Sequence, residues 1–218
     1  LQRALDDAAP GRYHVTLGLK HAHPKIEEAV DELAAAGFRR IVGLVLAPHY
    51  SSFSVGQYLD RARAAATPHG IAVEGIESWA TEPAFVEFIA RDLHARLDAM
   101  PSDTKVLFTA HSLPQRIIAA GDRYPDELRS TAEAVAAAAG LDRWTGWSIA
   151  WQSAGRTPEP WLGPDILTVI DDIAAAEHGE AHPRGVLVSA VGFVADHLEV
   201  LYDLDIEASA RAHSHGLE

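Results

Sequence analysis

Apolar and polar positions along the chain fall into two alternating textures. Six short runs are apolar nearly throughout: YHVTLGLK (13–20), RIVGLVLAP (40–48), IAVEGIESW (71–79), KVLFTA (105–110), WTGWSIAW (144–151) and GVLVSAVGF (185–193). Six amphipathic stretches are interleaved with them: KIEEAVDELAAAG, VGQYLDRARAAAT, PAFVEFIARDLHARLDAM, DELRSTAEAVAAAAG, PDILTVIDDIAAAEHG and ADHLEVLYDLDIEASAR. The first texture predicts strands buried on both faces, because a half-exposed antiparallel sheet would alternate polar and apolar residues. The second predicts helices. Strand–helix alternation is the mark of parallel strands joined by crossover helices, so the fold class is α/β. Pro24 and Pro83 stand where helices open, and Gly37, Gly140 and Gly179 stand where a left-handed residue would close them. The stretch from 48 to 54 is where the chain is expected to change sheets, and the pattern divides into residues 1–70 and 71–218.

Composition narrows the function. The 218 residues carry 18 Lys+Arg and 31 Asp+Glu, so 18 − 31 = −13. A net-negative surface repels phosphate, and no basic run longer than Arg39-Arg40 occurs, so neither nucleic acid nor acidic headgroups are expected partners. The absence of cysteine removes disulfides, thiolate metal sites, cysteine nucleophiles and a cysteine-ligated iron–sulfur cluster. No apolar run reaches the ~18 residues of a membrane-spanning helix, and the opening LQRALDDAAP lacks a signal-peptide layout. No stable membrane insertion is expected and the chain reads as cytoplasmic. It starts at Leu1 without a methionine and stops at HSHGLE soon after a helical pattern, as a section of a longer polypeptide would.

Ligands of open α/β sheets bind beyond the carboxyl ends of strands. Four such segments contain histidine: KHAHP (20–24), APHYSSFS (47–54), AHSLP (110–114) and VADHLE (194–199). His111 follows four apolar residues of a strand, so its imidazole projects toward the crevice, where a neutral ring can accept a proton or bind a divalent cation. A histidine that only satisfies a backbone carbonyl is the equally weighted alternative. Ser112 adjoins it, but no G-x-S-x-G elbow surrounds any serine. Glycine-rich phosphate loops are also absent, so no nucleotide is expected.

The stretch 196–207 carries carboxylates at Glu199, Asp203 and Glu207, a spacing of i, i+4, i+8. On a helix this stacks three acids along one face, each step rising about 6 Å. Like charges so placed oppose helix formation, and no lysine or arginine interrupts them. A solvated acidic face is the commoner cause of such a run. Leu198, Leu201 and Leu204 on the same helix, following the most apolar strand, favour a track for a hydrated divalent cation, since hard oxygen ligands suit Fe2+, Mg2+ or Mn2+.

These residues resemble a known family, the ferrochelatases, which insert ferrous iron into a porphyrin. FTAHSLP (108–114) is similar to that family's histidine signature, GFVADHLEVLYDLDIE (192–207) to its acidic helix, and WQSAGRTPEPWLGPDI (151–166) to its Trp- and Pro-containing loop. GLKHAHP, LAPHYSSFSVGQY and GDRYPDEL (121–128) resemble the Gram-positive and actinobacterial branch that uses coproporphyrin III. The likeness runs from about residue 13 to 207.

The resemblance implies two Rossmann-like halves with four-stranded parallel sheets flanked by helices, a chelatase-like architecture whose first half is incomplete in this chain. It implies that His111 and Glu199 face each other across the porphyrin plane as catalytic and metal-binding groups. Asp203 and Glu207 would continue the iron track on a helix that is partly π-type. Tyr58 and Ser54 would hold a propionate, Lys20 would sit at the mouth, and Trp161 would line the wall. The implied partners are Fe2+ as substrate metal, the porphyrin, and a transient contact with the next enzyme of the haem pathway. Three alternatives stay open at this point: protoporphyrin IX as the substrate, a non-catalytic tetrapyrrole or haem binder, and a chelatase for cobalt or nickel.

Overall fold

The computed structural model describes residues 1–142, 146–176 and 183–218, and the chain clusters into two compact units. Residues 144 and 145 of the strand expected at 144–151, and the cap expected at Gly179, lie outside the described residues.

The first unit comprises Leu1–Val45 and Ser52–Glu77. Its sheet is a parallel pair, β1 (Arg40–Leu44) with β2 (Ala72–Ile76). The apolar pattern divides at residue 70, but this pairing carries the first unit on to Glu77. After α1 (Gln2–Ala8), helices α2 (Ile26–Ala35) and α3 (Val55–Ala66) supply Val30, Ala62 and Ala66, which pack against Ile41 and Val73. The other face leaves Val42, Leu44 and Ile76 exposed, so these strands are covered on one side where the apolar run predicted two.

The strand expected at 13–20 does not form. Its backbone is engaged by a side chain instead: Gln2 accepts from Val15 N–H at 2.7 Å and donates to the Tyr13 carbonyl at 3.1 Å, leaving a single bridge at Leu19. A strand exists only where a neighbour offers a ladder, which an apolar run cannot supply by itself. Among the described residues the two sheets therefore have two and three strands, where the resemblance implies four each.

The second unit comprises Leu46–Ser51 and Ser78–Glu218. Its parallel sheet has the order β4-β3-β5, with β3 (Lys105–His111) between β4 (Trp147–Gln152) and β5 (Val186–Ser189). Helix α4 (Pro83–Leu97) leads into β3, α5 (Gln115–Ala119) and α6 (Tyr124–Ala138) connect β3 to β4, and α7 (Ile166–Ala175) connects β4 to β5. Val106, Phe108 and Ala110 pack with α4 and α6, while Leu107 packs with α7 and the C-terminal helical segment. Burial of both faces of β3 makes it the rigid centre of the unit. Gly37 and Gly140 have φ of +87° and +65°, the left-handed closures that the pattern anticipates. The helix expected to open at Pro24 begins at Ile26, with Lys25 as cap and Glu28 accepting from the Lys25 N–H at 2.7 Å. Among the described residues no helix is long and apolar enough to cross a membrane.

His49, in the segment where a change of sheet is expected, belongs to the second unit and is 1% exposed. Thr131 donates its hydroxyl proton to the Ala80 carbonyl at 2.8 Å, so the 2.8 Å contact from His49 Nε2 must be an N–H donated to Thr131. Nδ1 is then a bare acceptor, buried without a hydrogen-bond partner. Burial pushes the pKa of His49 down to about 4. Because the folded value lies below the ordinary one, the stability from a neutral His49 is complete above about pH 6.5 and is lost as pH falls toward 4. A loss of roughly 2 kcal/mol from this group is expected between pH 7 and pH 5. Urea unfolding of wild type and His49→Gln at both pH values checks it: the variant should show the shallower pH dependence, and equal losses would exclude His49 as the cause.

Candidate active site

Parity along β3 decides which way its last side chain points. Alternate residues of a strand face opposite sides, so His111 shares the face of Leu107, the side covered by α7 and the C-terminal helical segment. Across the sheet His111 is in register with Gln152, whose carbonyl accepts from Ser112 N–H at 2.7 Å. The hydroxyl of Tyr124 donates to the His111 carbonyl at 3.1 Å. Burial, reinforced by Asp122, pushes the Tyr124 phenol up, so it remains a donor.

The second wall reaches His111 because of a glycine. Gly192 N–H donates to the Thr109 carbonyl at 3.0 Å, and a Cβ at this position would lie 2.5 Å from that of Ala110. Only glycine lets the chain after β5 cross so closely over β3. The helical segment then starts with α8 (Leu198–Val200), continues as a π-helix over Leu201–Ala208 and closes with α9 (Ser209–Ser214). Its buried stripe is Val200, Leu204, Ala208 and Ala212, a period of four. In an α-helix a step of four overshoots a turn by about 40°; the wider π-turn removes most of that drift. Glu199, Asp203 and Glu207, each one residue before the stripe, thus form a column beside it. Leu204 is buried as the sequence suggests, but Leu198 and Leu201 are 80% and 43% exposed, so they do not anchor the helix.

Glu199 Oε2 lies 3.6 Å from His111 Nε2. The Nδ1 atom of His111 is 2.5 Å from the Ser112 carbonyl oxygen. A carbonyl only accepts, so Nδ1 carries a hydrogen, and in the neutral form of the ring Nε2 is the lone-pair atom. Lone pair and carboxylate therefore face each other as two acceptors, an arrangement that a proton or a cation between them would relieve. A macrocycle between the two groups needs about 3.5 Å on each face, roughly 7 Å in all. At 3.6 Å the two groups are in contact, so a ring between them requires one side chain to move. The Glu199 side chain, 55% exposed against 32% for His111, is the one with room to swing.

Along the column, Asp203 is half-buried and accepts a hydrogen bond from the Ser153 hydroxyl, whereas Glu207 is exposed. Among the described residues no three His, Asp or Glu side chains converge closely enough to hold a metal ion. The column is a row of separate carboxylates, each able to offer a hard oxygen to a cation. Trp161 is half-buried in the loop after β4, donates its indole N–H to Thr157 at 2.9 Å and bridges Pro114. Its ring lies over Gly155, where a Cβ would come within 2.2 Å.

Lys20, Ser54 and Tyr58 lie in the first unit. Lys20 Nζ donates to Gln57 Oε1 at 2.5 Å and stands 5.4 Å from the centre of the Tyr58 ring, so the ammonium and the phenol form one cluster. Ser54 precedes α3 without a side-chain capping bond, its carbonyl accepting from Tyr58 N–H at 3.2 Å. Ser153 and Tyr124 are two further residues here that no motif in the sequence singles out. The signal for Ser153 is its place directly after β4, beside the strand that ends in His111.

A family model described as ferrochelatase matches residues 1–218. The coproporphyrin III ferrochelatase of Geobacillus thermodenitrificans is 46% identical over 196 residues, covering 88% of this chain and 60% of its own length. Coproporphyrin III ferrochelatase 2 of Bacillus cereus is 45% identical over 194 residues, covering 88% of this chain and 59% of its own. A protein of Herpetosiphon aurantiacus named ferrochelatase is 42% identical over 225 residues, covering 100% of this chain and 71% of its own. The chain spans about 60% of the length of the first of these curated relatives. By the match of its whole length and by these identities, the chain belongs to the ferrochelatase family.

Proposed function

We propose that the protein inserts ferrous iron into a porphyrin in the cytoplasm, as a step of haem synthesis, with coproporphyrin III as the preferred macrocycle. The observation that carries the reading is the His111–Glu199 pair at the carboxyl end of the central strand, with a bare Nε2 turned toward the carboxylate. Insertion replaces two pyrrole N–H protons by one Fe2+, so the site needs two proton acceptors, and Nε2 of His111 and the Glu199 carboxylate are two. Both also bind a divalent cation, which strips water from the incoming iron. The macrocycle lies between them once the Glu199 side chain has moved aside. Asp203 and Glu207 carry hard oxygen ligands outward from this point, a route along which hydrated iron exchanges water for carboxylate stepwise. Lys20, with Tyr58 beside it, offers a cation and a phenol for a propionate, Ser54 offers a hydroxyl, and Trp161 offers an aromatic wall.

Support for coproporphyrin III comes from the names of the Geobacillus and Bacillus relatives. The test is anaerobic Fe2+ insertion into coproporphyrin III and protoporphyrin IX, followed by absorbance. A kcat/KM at least about tenfold higher for coproporphyrin III is expected, equivalent to about 1.4 kcal/mol of discrimination. The opposite preference would reverse the choice of macrocycle, and tight binding of both porphyrins with metallation of neither would make the protein a tetrapyrrole carrier.

A further inference from the structure

We propose that Ser153 is a positioning residue for iron delivery, fixing the Asp203 carboxylate at the middle of the acidic column. Ser153 follows β4 directly, and its neighbour Gln152 is in register with His111. Its hydroxyl donates to Asp203 Oδ2 across fifty residues of sequence. Ser153 is also the one non-glycine residue with positive φ among the described residues, at +60°. A side chain held in the left-handed region costs on the order of 1 kcal/mol or more, and such strain persists where the surroundings over-determine it. Here that conformation accompanies the aim of the hydroxyl at the column. Two independent features, the hydrogen bond and the backbone conformation, thus converge on the same carboxylate.

The consequence is geometric. Glu199 and Glu207 are exposed, while Asp203 is half-buried and tied to the end of β4, the strand paired with the one that ends in His111. A carboxylate with one oxygen engaged by a hydroxyl has fewer orientations open to it, so its other oxygen is held ready for an ion moving along the column. Partners that orient a ligand in this way typically change metal affinity by about ten- to a hundredfold when removed.

This role rests on reading the column as the iron track, and it is separable from the metallation chemistry by experiment. Glycine accepts a φ of +60° without strain, so Ser153→Gly deletes the hydroxyl and leaves the fold free to keep its backbone. Co2+, which resists oxidation, is titrated calorimetrically into the full chain as wild type, Ser153→Gly, Asp203→Ala and the double variant. The expected result is about tenfold weaker Co2+ binding in Ser153→Gly, with no further loss when the change is made in the Asp203→Ala background. In turnover, the apparent KM for iron rises while kcat and the KM for porphyrin stay the same. An unchanged Co2+ affinity, an equal loss in the Asp203→Ala background, or no detectable Co2+ binding by wild type would each overturn the proposal. Wild-type protein that shows the expected Co2+ pattern yet metallates no porphyrin would sink the functional reading and leave the role of Ser153 standing.

Discussion

Replacing His111 by alanine is expected to slow iron insertion by about a thousandfold while porphyrin affinity stays within a fewfold of wild type. The imidazole ends the central strand of its sheet, with Nδ1 committed to the Ser112 carbonyl and Nε2 free. Alanine removes the lone pair that takes a pyrrole proton or holds the metal, and leaves the neighbouring walls in place. Val106, Leu107, Phe108 and Ala110 are all 0% exposed, so the strand itself does not depend on the imidazole. The carbonyl of Ser112, a residue 1% exposed, loses its partner, and the space left by the half-buried imidazole admits a water in its place. Single-turnover absorbance measures the rate and fluorescence quenching the affinity; a rate within tenfold of wild type would remove His111 from the mechanism.

A comparable loss, about a hundred- to a thousandfold, is expected for Glu199→Gln. Glutamine preserves the shape and removes only the charge and the proton-accepting oxygen. Being more than half exposed, residue 199 contributes little packing, so the loss should appear in kcat with little change in thermal stability. Near-normal turnover would return Glu199 to a solvated surface acid. If the rate falls only together with the melting temperature, residue 199 supports the fold and not the chemistry.

Much of this site is legible in the sequence because its chemistry sits at strand ends and helix starts. A run from Val106 to Ala110 that is apolar but for Thr109 identifies β3 as the buried central strand, and the residue after it as a crevice residue. The four-residue spacing of Glu199, Asp203 and Glu207 is visible in one dimension, and the π-helix makes it straight in three. What is not legible is anything set by a partner distant in sequence. The run at 13–20 looks like a strand, yet whether it forms a ladder depends on a neighbour, and Gln2 takes its backbone groups instead. The exposed Val42, Leu44 and Ile76 make the same point, since an apolar pattern states what a face prefers and not what covers it. Ser153 is hidden for a related reason: its link to Asp203 spans fifty positions, and a serine with φ of +60° has no local signature. Gly192 is legible only as a glycine; that it lets the chain after β5 cross over β3 depends on the closeness of Ala110.

The central claim is that His111 and Glu199 act as one unit on the same reacting centre. Single-turnover iron insertion by His111→Ala, Glu199→Gln and the double variant tests it most directly. Groups that serve one step together lose their effect together, so the double variant is expected to be about as slow as the slower single variant. A rate reduced by the product of the two single losses would mean that the two residues act independently, and would contradict the shared site.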